Sequence, residues 1–333
     1  MQKNRSRRIK TAVVAMVALA AFSAQAFSQT TYPKPITGTT ITITSGGLQR
    51  TFIVHIPPTP KSTPGAVLIF HGGSGNPAAA SQMQGLTLMD TVADREGFYS
   101  VYPQALNGHW TDGRISTAGG ANDVQFVKDI AAYLTRTYKV SSTKIFSAGI
   151  SNGGIMQYQL ACTAPGLIRA IAPVAADMTL AMQSTCHPTK FTPVIMFSGT
   201  ADQYMPYGGG FPVVNTGQTA VVATVPKNST FSSTVTSDEF ASAAATAASF
   251  AAMSVCKSST STDLPDKAVD GTTVTKTVYN SCASGGGTYL YTIINGGHTW
   301  PGGTNVGTTG MGLSTSDISA NEEMVAFFKL FGL

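Results

Sequence analysis

The chain has 333 residues, 43% of them hydrophobic and only 11% charged, with 21 Lys and Arg against 16 Asp and Glu. Five of the basic residues (Lys3, Arg5, Arg7, Arg8 and Lys10) and none of the acidic ones lie in residues 1–26, so the other 307 residues carry 16 against 16. That balance excludes the basic surface expected of a nucleic-acid binder, and 307 residues suffice for one large α/β core.

The basic start is followed by an apolar run over residues 11–22, too short to span a bilayer, and by the small-x-small tripeptide Ala24-Gln25-Ala26. This pattern reads as a secretory signal peptide cut after Ala26. The expected product is secreted, periplasmic or extracellular. No later apolar run is long enough for a membrane helix, so no membrane attachment is expected after cleavage.

Residues 39–44 and 50–56 alternate β-branched side chains around Ser45-Gly46-Gly47, the mark of a hairpin. Ala66-Val67-Leu68-Ile69-Phe70 is continuously apolar, as in a strand buried on both faces. Residues 86–95 read as a helix stopped near Gly97, and residues 99–102 as a strand. Over 123–138, Val124, Val127, Ile130, Leu134 and Tyr138 recur on one helical face, with Asp123 as the expected N-cap. Further strands are expected at 144–148, 170–174, 194–198 and 289–294, and helices at 155–161, 238–255 and 321–331. Residues 207–237, rich in Gly, Thr, Ser and Val, read as a long loop or hairpin excursion. Strands alternating with helices predict an α/β fold with a mostly parallel sheet covered on both faces, as one catalytic domain over residues 27–333.

Gly149-Ile150-Ser151-Asn152-Gly153 stands between an expected strand and an expected helix. That is the context of a nucleophile elbow, in which a strained turn exposes the serine hydroxyl to a cleft. The amide of Asn152, at a helix N-terminus, is a candidate donor to an oxyanion. A serine needs a base, and the base needs an orienting carboxylate. His298, after the last strand, is the candidate base among five histidines; His55, His71, His109 and His187 stand elsewhere. Asp202, just after the 194–198 strand, is the candidate acid, with Asp177 and Asp123 as rivals. His71-Gly72-Gly73-Ser74-Gly75 follows the 66–70 strand, where this type of sheet places its second oxyanion amide; Gly73 is the candidate donor, with Gly72 as the alternative. Trp110 and Trp300 fall in Gly-rich loops and are candidate cleft walls for a sugar or aromatic substrate.

The four cysteines, Cys162, Cys186, Cys256 and Cys282, form an even set in an exported chain, which points to disulfides. Three pairings are possible; Cys162 with Cys186 and Cys256 with Cys282 close the short local loops. No close Cys pair with nearby His suggests a metal site.

Together these segments resemble the secreted esterase family of poly(3-hydroxybutyrate) depolymerases, feruloyl esterases and acetylxylan esterases. The likeness rests on His71-Gly72-Gly73, Trp110 with Asp112-Gly113-Arg114, Asn122-Asp123-Val124, the 149–154 elbow, Ala172-Pro173-Val174-Ala175, Gly199-Thr200-Ala201-Asp202 and Gly297-His298-Thr299-Trp300-Pro301-Gly302. It implies an α/β-hydrolase fold, a Ser151–Asp202–His298 triad, secretion, and neither metal nor cofactor. Asn122 departs from the family, which has a second aspartate there. The expected activity is carboxylic ester hydrolysis by a monomer, on feruloyl or acetyl esters of plant polysaccharide or on polyester chains. An acyltransferase and a non-catalytic binding protein on the same fold are the alternatives.

Overall fold

The computed structural model describes residues 38–74, 76, 78–211, 238–283, 286–304 and 310–333. The expected signal peptide and most of the 207–237 excursion lie outside the described residues. The bases of that excursion are tied together: Gly210 and Phe240 exchange two backbone hydrogen bonds of 2.8 Å.

Among the described residues, ten strands form one mixed sheet. β1 (Thr39–Ser45) and β2 (Leu48–His55) are the expected hairpin, and β2 runs antiparallel to β4 (Tyr99–Pro103). β3 (Ala66–Phe70), β4, β5 (Ile145–Ile150), β6 (Ile171–Val174) and β7 (Val194–Gly199) are mutually parallel where they pair. β8 (Ser258–Asp263) and β9 (Thr273–Asn280) form a second antiparallel pair, which β9 joins to β10 (Thr288–Ile294); β10 returns parallel to β7. The order across the sheet is β1-β2-β4-β3-β5-β6-β7-β10-β9-β8.

Alternation along a strand sends neighbouring side chains to opposite faces. Thus Leu68 packs with α3 (Asp123–Tyr138), α4 (Asn152–Thr163) and α6 (Ala243–Met253) on one face. Val67 and Ile69 pack with α1 (Ala79–Thr87), α2 (Met89–Glu96) and α7 (Ala320–Leu330) on the other. A further short helix, α5 (Leu180–Thr185), is capped by the Thr179 hydroxyl, which accepts from Met182 N.

Three local expectations need correction. The helix over 86–95 is two helices, because Leu88 takes a left-handed conformation (φ 54°) that ends α1 and starts α2. The N-cap of α3 is Asn122, whose side chain accepts from Gln125 N, not Asp123. Asp123 is occupied instead by Arg50 (2.5 Å) and by Thr111 N (2.7 Å) in the interior. β8 and β9 were not foreseen, since their Ser- and Thr-rich sequences expose much of their surface and lack an apolar face.

Both disulfides join the short loops. Cys162 bonds Cys186 and Cys256 bonds Cys282.

Candidate active site

Ser151 sits between β5 and α4 with φ 56° and ψ −125°, a backbone conformation rare for a residue with a Cβ. Close packing on both sides imposes the turn. A Cβ at Gly153 would lie 2.4 Å from the His71 carbonyl oxygen, and one at Gly149 would lie 2.4 Å from the Gly153 carbonyl oxygen. The glycines are therefore required by contact as well as by chain flexibility. Ser151 N donates to the Val174 carbonyl (3.0 Å), which fixes the elbow to β6.

β7 and β10 deliver the other two groups at their carboxyl ends, the edge where open α/β sheets hold ligands. His298 Nδ1 lies 2.8 Å from Asp202 Oδ2. The other oxygen, Asp202 Oδ1, accepts from Tyr204 N and Met205 N, each at 2.8 Å. Three N–H groups thus hold this carboxylate, and both partners are buried. The Tyr204 ring packs 5.2 Å from the imidazole. The structure joins Asp202 to His298, but no hydrogen bond joins His298 to Ser151 among the described residues.

Neither Asp177 nor Asp123 hydrogen-bonds His298 among the described residues. Asp123 belongs to the Arg50 ion pair. Asp177, just beyond β6, is 1% exposed, and neither carboxyl oxygen has a hydrogen-bond partner within bonding distance among the described residues. Burial, reinforced by the charge of Asp202, pushes its pKa well above the usual carboxylate range.

The candidate oxyanion residues are packed against each other. A Cβ at Gly72 would fall 3.4 Å from Ser151 Cβ, and one at Gly73 would fall 3.6 Å from Asn152 Cβ. Side-chain bonds brace both loops. His71 Nδ1 donates to the Gly72 carbonyl (2.6 Å) while its Nε2 accepts from Ala105 N (3.1 Å). Burial, opposed by the Gly72 bond and aided by His109, lowers the His71 pKa to about 4, so the ring is neutral near pH 7. Asn152 Oδ1 accepts from Trp110 N (2.7 Å), and its Nδ2 donates to Asp112 Oδ2 (2.5 Å) and to the Trp110 carbonyl (3.1 Å). Asp112 is itself held by Arg114 (2.8 Å).

Both Trp110 and Trp300 are 0% exposed. Trp110 Nε1 donates to the His71 carbonyl and Trp300 Nε1 to Asn321 Oδ1, so each indole braces its loop; Trp110 also stands among the residues that line the larger of the two cavities beside the Gly72–Gly73 loop, and Trp300 does not. Sequence reasoning did not assign a role to Asp112. The available signal was a carboxylate and a guanidinium two residues apart beside a tryptophan, in a loop following a strand.

Two cavities adjoin the Gly72–Gly73 loop. One, of about 130 Å³, is lined by Gly72, Gly73, Ala79, Met83, Leu86 and Ile150. The other, of about 830 Å³, is lined by polar groups of Asn107, His109, Arg114, Ser116 and Thr117, with Leu48 beside them. His109 links the larger cavity to the site, because a Cβ at Gly73 would lie 2.8 Å from its Nδ1.

No family model matches the chain. It is 25% identical over 305 residues to a putative esterase, NocK, of Nocardia uniformis subsp. tsuyamanensis, spanning 86% of this chain and 84% of that protein. Over 100 residues it is 33% identical to feruloyl esterase B of Piromyces equi, covering 29% of this chain but only 19% of that protein. Over 176 residues it is 27% identical to acetylxylan esterase A of Aspergillus oryzae, covering 48% of this chain and 56% of that protein. Among solved structures, the acetyl xylan esterase from Aspergillus awamori superposes with a TM-score of 0.56 at 14% identity, over 89% of this chain and all of that one. The fold is that of the α/β-hydrolases. The curated relatives are esterases, and the chain is an enzyme of the ester-hydrolase class.

Proposed function

We propose that the protein is a secreted carboxylesterase working through Ser151, His298 and Asp202 and an acyl-enzyme. The observation that carries this is the buried His298–Asp202 pair at 2.8 Å, on the sheet edge where the strained elbow presents Ser151. His298 Nε2 and Ser151 Oγ are both without a hydrogen bond among the described residues, which leaves each available to the other and to an ester. Catalytic hydrogen bonds are often long in unliganded enzymes and tighten when substrate binds.

In the reaction, His298 Nε2 takes the Ser151 proton as Oγ attacks the ester carbonyl. Asp202, bonded at Nδ1, orients the ring and stabilises its cationic form. The amides of Asn152 and Gly73 receive the oxyanion. The imidazolium returns its proton to the departing alcohol, and water then repeats the sequence on the acyl-serine. The donors are preorganised by the Asp112–Asn152 and His71–Gly72 bonds, and preorganisation is where such sites gain most of their rate.

The cavities favour a short acyl group on a polyhydroxylated alcohol. About 130 Å³ is smaller than the roughly 150 Å³ apolar cavity that holds one benzene. A hydroxycinnamoyl group, a ring with a three-carbon arm, exceeds it. The larger cavity presents hydroxyl, amide and cationic donors suited to a sugar. The relatives named for acetylxylan are consistent with that choice. The leader and the two disulfides support export, and no helix among the described residues is long and apolar enough to cross a membrane.

Initial rates on p-nitrophenyl acetate, butyrate and octanoate, with methyl ferulate alongside, test the substrate reading. Acetate is expected to lead, with ferulate at least tenfold lower in kcat/KM; a ferulate preference would reverse the assignment of the small cavity to the acyl group.

A further inference from the structure

The amino ends of β5 and β6 lie at the edge of the sheet opposite Ser151. A six-residue strand such as β5 places that edge ~20 Å from the elbow. A cavity of about 380 Å³ there is lined by Lys144, Arg169 and Lys190. A second, of about 370 Å³, is lined by Arg136. The two share Ser142, Gly166 and Leu167, so they form one continuous groove carrying four cations.

No carboxylate side chain lines either cavity. None of the four cations belongs to an ion pair among the described residues. Lys144 Nζ reaches only the Thr63 carbonyl, at 3.4 Å. Arg169 spends Nε on the Phe331 carbonyl (3.2 Å), leaving its terminal nitrogens open. In a chain with 11% charged residues, four unpaired cations along one groove are a concentration that self-repulsion opposes. An anionic ligand removes that repulsion.

Their distribution indicates what kind: three line one cavity and the fourth the adjoining one, so the charges are spread over two cavities, and a spread set of cations suits a chain with repeated charges better than a single phosphate. Hydroxyls of Ser142, Thr143 and Thr135 stand among them, donors and acceptors for sugar hydroxyls. Nucleic acid fits less well, since the chain outside residues 1–26 carries no net basic charge. We propose that this groove binds an acidic polysaccharide through its carboxylates, as a docking site separate from the catalytic cleft. The proposal requires only the charge pattern and stands whether or not the triad assignment holds.

Affinity electrophoresis in gels containing polygalacturonate tests it, with neutral xylan and double-stranded DNA gels as comparators. The mature protein is expected to be retarded by polygalacturonate at low salt, to be released at 0.5 M NaCl, and to run freely in xylan. The Arg136→Glu/Lys190→Glu double variant is expected to bind at least tenfold more weakly, with unchanged hydrolysis of p-nitrophenyl acetate reporting an intact fold. Equal retardation of variant and parent, free migration of the parent in polygalacturonate, or equal retardation by xylan or DNA would overturn the proposal. If the double variant fails to fold, Lys190→Ala alone is run against the same criterion.

Discussion

Asp177 and Asp202 follow adjacent strands of one sheet, are both buried, and differ almost entirely in what surrounds them. Asp202 receives two backbone N–H groups and an imidazole. Asp177 has no hydrogen-bond partner within bonding distance among the described residues, and burial raises its pKa well above the usual carboxylate range. The turn after β7 supplies the difference, by folding Tyr204 N and Met205 N back onto the carboxylate. A carboxyl becomes useful as a charged orienting group where the backbone solvates it; one strand away, the same side chain is only a buried acid.

The comparison breaks most sharply by removing the charge of Asp202. Asp202→Asn is expected to lower kcat roughly 10³–10⁴-fold, because the amide holds the wrong imidazole tautomer, as read from steady-state kinetics on p-nitrophenyl acetate. Asp177→Asn should leave kcat within a few-fold of the parent. Comparable losses from both would mean that the imidazole uses either carboxyl.

The next effect concerns the oxyanion side. Asp112→Ala releases the Asn152 side chain and is expected to lower kcat on the order of tenfold to a hundredfold with a smaller change in KM, since misplacement by about 1 Å costs on that scale. A pure KM effect would assign Asp112 to substrate binding.

Much of this architecture was legible in the sequence for a physical reason. A short continuous apolar run such as Ala66–Phe70, five residues long and followed by glycines, suits a strand buried on both faces, and Gly149 and Gly153 mark backbone approaches that no other residue tolerates. The burial of the tryptophans was not legible because a Gly-rich loop is normally a surface feature, whereas these loops fold back and bury the indoles. The break at Leu88 was hidden because left-handed leucine has no local signal. Strands β8 and β9 are specified by pairing with β10, a non-local contact that their own Ser and Thr content does not announce. The Asp202–His298 distance follows from turn geometry and was legible only as an order of residues along the chain.

Two smaller effects sharpen the contrast through stability. The buried His71 refuses a proton down to about pH 4, while in the unfolded chain it binds one near its ordinary 6.5. The unfolded state therefore holds more protons between those values, and stability is expected to be lost as the pH falls through that window, by up to about 3 kcal/mol. Urea midpoints from pH 7.5 to 4.5 measure it, and His71→Asn should flatten the slope. Asp177 has the opposite sign. Burial raises its folded pKa above the unfolded value, so the group costs stability as the pH rises past about 4. Asp177→Asn is expected to raise Tm by a few degrees at pH 8, a gain that shrinks toward pH 4; a lowered Tm at pH 8 would show that the carboxyl is solvated in the folded protein.

The most direct measurement is mass spectrometry of the protein after reaction with a fluorophosphonate. One adduct per chain is expected, on the peptide containing Ser151, formed at least 10³-fold more slowly in His298→Ala and absent in Ser151→Ala. An adduct on another residue, or labelling of Ser151 that is indifferent to His298, would contradict a nucleophile activated by that imidazole.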